Sequence, residues 1–184
     1  MINKLKFQLD FLPAYAHYNN LRYLLKKDVW DYIRNKVRVE KKYTCEFCNK
    51  KFSGNGVKFL ECHEYWVFNV SYKKQILKKL ILLCHYCHQT QHINFSHLLN
   101  IEDKIINHFK KVNNLSVSDF NELKRKNLLY RNSVEDLSEI SKEDLNKIEN
   151  WTLKIECDLK NYLPEKLRND EFILFLNNLN WRIE

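Results

Sequence analysis

The chain has 184 residues, 45% of them apolar and 29% charged, a net charge of +8 and a mean hydropathy of −0.55. That composition excludes a disordered polymer, and no run approaches the roughly 20 uncharged apolar residues of a membrane-spanning helix. Two Gly and two Pro disfavour Gly-rich phosphate loops, propellers and turn-rich sandwiches, and favour helices.

The opening residues lack the apolar core of a secretion signal, so a cytoplasmic location without a membrane partner is the expectation. Charge is uneven, with a balance of +11 over residues 1–112 and −3 over residues 113–184. A basic front part on a mildly acidic tail points to a polyanionic partner, nucleic acid foremost.

Residues 1–44 read as a helical N-terminal region. Asn20-Leu21-Arg22 leads into Tyr23, Leu24 and Leu25, and Asp28 is placed to cap a helix with Trp30, Ile33 and Val37 on one face. The basic run Arg38 to Lys42 then delivers the chain to Cys45.

Residues 45–98 form the Cys/His core. Five of the six Cys lie between Cys45 and Cys87, and five of the seven His between His63 and His97. Cys45-Glu46-Phe47-Cys48 and Cys84-His85-Tyr86-Cys87 are two CxxC knuckles. They read as one tetrahedral zinc site rather than disulfides, because the two-residue spacer lets both thiolates of a knuckle meet one ion. A redox CxxC beside a coincidental pair is the rival reading, and the βαβ context it requires is absent from the pattern. Gly54 and Gly56 mark a turn before residues 57–63, a partly alternating run expected to form a strand. Gln75 to Leu83 is apolar and ends at the second knuckle, and Cys87 to Leu99 reads as a helix.

On that helix His88 and His92 stand four residues apart, so both imidazoles can reach one ion. That ion need not be the zinc, whose shell four thiolates already close. Glu61-Cys62-His63-Glu64 sets a His between carboxylates at the end of the expected strand. A strand His beside a helical His pair suits metal-assisted phosphodiester hydrolysis, in which an ion stabilises charge developing on the phosphate and a neutral imidazole takes a proton from water. His17, His85, His97 and His108 gain no such support.

Residues 99–184 read as a helical C-terminal region. Ile101, Ile105, Phe109 and Val112 form a stripe, Ser118 opens a helix carrying Phe120 and Leu123, and Ser141 to Asp144 resembles a capping box. Trp151 to Leu153 and Phe172 to Leu179 add apolar surface for the core, for a protein partner or for a second copy of the chain.

Together these residues resemble the HNH endonuclease family, the ββα-metal nucleases that carry an extra zinc held by four cysteines. The resemblance rests on Cys45-x-x-Cys48, Leu60-Glu61-Cys62-His63-Glu64-x-Trp66, Gln75-x-Leu77, Leu82-Leu83-Cys84-x-x-Cys87-His88 and His92. It covers residues 45–93, with weaker similarity at Asn20-Leu21-Arg22, Trp30, His108-Phe109-x-x-Val112-Asn113 and Trp151-Thr152-Leu153. It implies an α+β fold with a small ββα-metal core inside a mainly helical chain. It also implies a strand–turn–strand–helix finger at a DNA groove, and cleavage that leaves 3′-hydroxyl ends. One catalytic divalent ion is implied, usually Mg²⁺ or Mn²⁺ and sometimes Zn²⁺ or Ni²⁺. His63 matches the water-activating His, His88 and His92 match ligand positions for the catalytic ion, and Cys45, Cys48, Cys84 and Cys87 match the structural zinc tetrad. Cys62 stands where many relatives have an Asp or His ligand, which leaves Glu64 or Glu61 to supply it. The opposite register, with His63 as ligand and Glu64 as base, fits the same residues. Lys79 lies where the family's middle Asn is usual, with Gln75 as a substitute. The expectation is a metal-dependent DNA endonuclease; the alternative is a zinc-stabilised nucleic-acid- or protein-binding module that does not cut and is indifferent to loss of His63 or His92.

Overall fold

Apolar side chains at three- and four-residue steps make helix α2 (Lys27–Glu40), which buries Val29, Trp30, Ile33 and Val37. The helix starts one residue ahead of Asp28, whose carboxylate therefore sits in the first turn, where the helix dipole favours it. The computed structural model describes residues 20–69, 72, 74–92, 101–136, 152–169 and 181–183. The expected features at Ser141 to Asp144, Trp151, Phe172 to Leu179, His17 and His97, and the helix beyond His92, lie outside the described residues.

The remaining elements are α1 (Leu21–Leu24), β1 (Leu60–Asn69), β2 (Lys74–Cys84), α3 (His85–Gln91), α4 (Glu102–Asn113), α5 (Val117–Asp136), β3 (Thr152–Ile155), α6 (Leu159–Tyr162) and β4 (Trp181–Ile183). Short 3₁₀ turns cover Gly54–Phe59 and Glu165–Leu167. The described strands form one sheet in the order β1-β2-β3-β4. β1 and β2 are neighbours joined by four residues, a connection too short for anything but an antiparallel hairpin. The class is α+β. Among the described residues no helix is long and apolar enough to cross a membrane.

The chain divides into two compact units. One takes residues 41–61 and 82–135 and contains the two knuckles, α3, α4 and most of α5; the other takes residues 13–40, 62–81 and 136–184. The hairpin strands β1 and β2 run through both.

In the first unit, residues 57–59 are 3₁₀ rather than strand, and β1 begins only at Leu60. Gly54 takes a φ of +51°, a conformation cheap for glycine, and Gly56 N–H donates to Ser53 O (2.9 Å), so the chain winds before it extends. α4 buries Ile105 and Phe109 and ends at Asn114 in the left-handed conformation (φ 55°). α5 starts earlier than the expected Ser118, because Ser116 forms the cap. Its Oγ accepts from Asp119 N–H (3.1 Å) while Asp119 Oδ2 accepts from Ser116 N–H (3.0 Å), a reciprocal capping box.

In the second unit, the C-terminal part departs from an all-helical reading. β3 lies parallel to β2, pairing Lys74 with Thr152 through Leu77 with Ile155, and β4 lies parallel to β3. Leu153 and Ile155 are fully buried, as are Leu77 and Gln75 opposite them. The short β-branched-containing run Thr152–Ile155 gains more as a sheet neighbour of β2 than as part of a helix. Lys78 and Lys154 close the end of this pairing on Glu156.

Helix α1 has four residues, too few to stand alone. Asn20 Oδ1 accepts from Tyr23 N–H (2.9 Å), and Glu64 of β1 takes the first two free donors, Leu21 N–H on Oε2 (2.9 Å) and Arg22 N–H on Oε1 (3.2 Å). Trp66 Nε1–H also donates to Glu64 Oε2 (2.9 Å). Burial raises the Glu64 carboxyl from its ordinary 4.5 to about 7, against the pull of these three donors. The folded chain thus holds a proton on Glu64 that the unfolded chain releases near 4.5, so this group makes stability fall as pH rises from about 4.5 to about 7. Glu64→Gln should flatten that slope. It should also lower stability by about 1–3 kcal/mol, because its amide NH₂ faces N–H donors. Urea midpoints of both proteins between pH 4.5 and 8 measure the two effects.

Candidate metal centres

The first knuckle is a tight loop held by its own backbone. Cys45 N–H donates to Lys50 O and Asn49 N–H to Cys45 O, both at 2.9 Å, and Thr44 bridges Lys51. Asn49 adopts φ 58°, which Asn tolerates better than most residues, while Lys42 (φ 51°) and Tyr43 (φ 55°) swing the chain into the loop. Glu46 then fastens the loop to β2. Its backbone N–H donates to Leu82 O (2.9 Å), and its Oε2 accepts from Leu82 N–H (2.7 Å). Two residues on, Cys84 ends β2, and Cys87 lies in the first turn of α3.

This arrangement gathers Cys45, Cys48, Cys84 and Cys87 with all sulfurs within 4.8 Å of one another. Cys48 Sγ and Cys84 Sγ are 3.7 Å apart. A tetrahedral zinc with Zn–S bonds of about 2.3 Å requires sulfur separations of about 3.8 Å. Sulfur–sulfur hydrogen bonds from Cys84 and Cys87 hold the Cys45 thiol far below its ordinary range. The same contacts with Cys45 push Cys84 up to about 12 and Cys87 further up. The four cysteines can thus hold a structural metal ion such as zinc.

A residue given no role from sequence completes this centre. His108 of α4 places Nε2 3.1 Å from Cys87 Sγ. Burial, opposed by Cys45 and reinforced by Lys111 and Lys50, lowers the His108 pKa and keeps the ring neutral. A neutral imidazole with its proton on Nε2 donates to the thiolate, the kind of outer contact that tunes a metal ligand. The signal in the sequence was faint: His108 immediately precedes Phe109, a buried stripe residue of α4.

The second group lies on the ββα segment β1–β2–α3. Strand alternation puts Glu61 and His63 on one face of β1, and Cys62, Glu64 and Trp66 on the other. Glu61 Oε1 lies 3.2 Å from His85 Nδ1 and Oε2 3.1 Å from His88 Nδ1. Burial works to raise the Glu61 carboxyl, but the neighbouring imidazoles of His88 and His85, the latter hydrogen-bonded to it, outweigh burial and draw the group down to about 2. His88 and His92 stack edge-on with ring centroids 4.7 Å apart, His92 standing at the C-cap of α3. His63 is buried in the second unit.

Of the residues singled out from sequence, the structure thus gathers the Cys tetrad as one group and pairs His88 with His92 as another, both within the first unit. Glu61 touches the second group through His88, while Glu64 is committed to the start of α1. Comparison with protein-family models, curated proteins and solved structures returned no match to this chain.

Cys84→Ser should release the bound metal and sharply lower the melting temperature, because a centre of this size takes much of its folding free energy from the ion. His108→Ala should keep the fold and weaken metal retention by roughly 10- to 100-fold. Metal content by mass spectrometry after graded chelation reads both, and a well-folded wild-type chain free of metal would overturn the assignment.

Proposed function

We propose that the chain is a metal-dependent DNA endonuclease of the HNH type, with zinc in the Cys tetrad. The observation that carries this reading is the His88–His92 pair beginning one residue after Cys87, with Glu61 of β1 against His88, all in the unit that holds the Cys tetrad. Its family attribution comes from the motif resemblance in the sequence.

In this reading His88 and His92 hold a divalent ion, Mg²⁺ or Mn²⁺, which when bound stabilises negative charge on the scissile phosphate. Glu61 lies 3.1 Å from Nδ1 of His88 and would leave Nε2 of that ring for an ion, the usual division of labour in a carboxylate–histidine–metal unit. His63, on the same strand face as Glu61, takes the proton from the attacking water at a ring nitrogen. Glu64 spends its oxygens on Leu21, Arg22 and Trp66 N–H groups, which favours His63 over Glu64 as base. DNA is the partner, held at its phosphates by basic side chains. The basic segments are unequal in this respect: Lys78 pairs with Glu156 and Lys41 with Glu46, while Lys74 is exposed.

His63→Ala should lower plasmid cleavage by roughly 10²- to 10⁴-fold, the usual worth of a general base, while metal content and DNA affinity stay near wild type. His92→Ala should also cripple cleavage, yet recover in part with excess Mn²⁺, since its defect is ion affinity. Full activity of His63→Ala would remove the base assignment. A wild type that binds DNA but cuts nothing with Mg²⁺, Mn²⁺ or Ni²⁺ would make the chain a binding module.

A further inference from the structure

Beside the Cys tetrad, within the first unit alone, lies a cavity of about 740 Å³. Its size falls in the range of sites that take a small molecule or one residue of a polymer. The lining combines two lysines, Lys50 and Lys111, with His108 and three aromatic rings, Phe52, Phe59 and Tyr86, and among the described residues it includes no carboxylate. Neither lysine has an ion-pair partner among the described residues; Lys50 instead sits over the Phe52 ring, 5.2 Å from its centroid. Phe59 is 52% exposed and Tyr86 42%. Lys58 stands over the Phe59 ring, 5.2 Å from its centroid, and Tyr86 packs beside His85 and His108, so each ring offers only its exposed part to an occupant of this cationic cavity. An occupant that fits must offer a flat π surface and negative charge together.

We propose that this cavity receives an unstacked nucleotide of a single-stranded or frayed DNA segment, its base against Phe59 and Tyr86 and its phosphate at Lys50 and Lys111. A base paired within a duplex keeps both faces against its neighbours and offers neither to the rings. Stacking on aromatic side chains alongside a lysine-tracked backbone is the general chemistry of single-strand binding. The proposal rests on the nucleic-acid reading above and sharpens it, by making the preferred substrate DNA with an unpaired stretch.

The test is fluorescence anisotropy with the full, zinc-loaded chain and no added catalytic metal. The probes are a labelled thymidine oligonucleotide of about 12 nucleotides, within the usual single-strand site size, and a duplex of equal length. The single strand should bind at least tenfold more tightly. Phe59→Ala and Tyr86→Ala should each weaken it by roughly 5- to 150-fold, the range of one lost base–aromatic stack, with little change for the duplex. Phe59→Tyr should restore binding, and Lys111→Gln should reduce its salt dependence. Both aromatic positions are solvent-facing, and retained zinc shows that the variants fold. Equal affinity for the two probes, or alanine variants that match wild type, would overturn the cavity assignment while leaving the endonuclease reading in place. Binding to neither probe would overturn both. Displacement of the oligonucleotide by polyglutamate at equal charge concentration would assign the cavity to acidic peptide instead, and the proposal would fail.

Discussion

Four sulfur atoms within 4.8 Å of one another are the constraint on which the unit of residues 41–61 and 82–135 depends. Thiolates this close repel one another, and a cation such as zinc, which the four cysteines could hold, would remove that repulsion. Once that cation is in place, the loop at Cys45, the end of β2 and the first turn of α3 are tied to one point. Glu46 sets the approach from one side, clamping both the N–H and the C=O of Leu82. α4 sets it from the other, packing on α3 and bringing His108 to Cys87. His88 follows Cys87 directly, so the ion that orders the tetrad also sets where the histidine pair points.

Three glutamates show how little of a side chain's role is written in its type. Glu46 joins two backbone segments, Glu61 gathers two imidazoles, and Glu64 completes a helix of four residues. Glu61 and Glu64 differ in position by an odd number, which places them on opposite faces of one strand. Their environments then drive them apart: the imidazoles of His88 and His85 beside it bring Glu61 down to about 2 against its burial, and burial takes Glu64 up to about 7.

Much of this was legible in the sequence where the signal is local. The CxxC spacing located the tetrad, the three- and four-residue steps located α2 and α4, and the His88–His92 spacing survives as a pair of rings in contact. What escaped depends on partners far along the chain. Thr152–Ile155 carries no helix-breaking residue and becomes a strand only because β2 presents an edge to it. The hold of Glu64 on backbone N–H groups more than 40 residues away is likewise invisible to any pattern of residue types. Residues 57–59 have strand composition, yet the left-handed Gly54 upstream winds them into a 3₁₀ turn.

The parallel pairing of β2 with β3 has a consequence for the order of folding. Residues 74–77 meet residues 152–155, across a gap that includes the whole of α3, α4 and α5. A strand addition of that sequence separation is entropically late, because a long loop must close before any ladder hydrogen bond rewards it. During synthesis the first unit can therefore assemble and take up its ion while β2 still exposes an open edge. For that interval the edge of β2 is an unsatisfied template, with the apolar faces of Leu77 and Ile81 beside it. The risk of intermolecular strand pairing is thus concentrated in the nascent chain, and the arrival of β3 ends it.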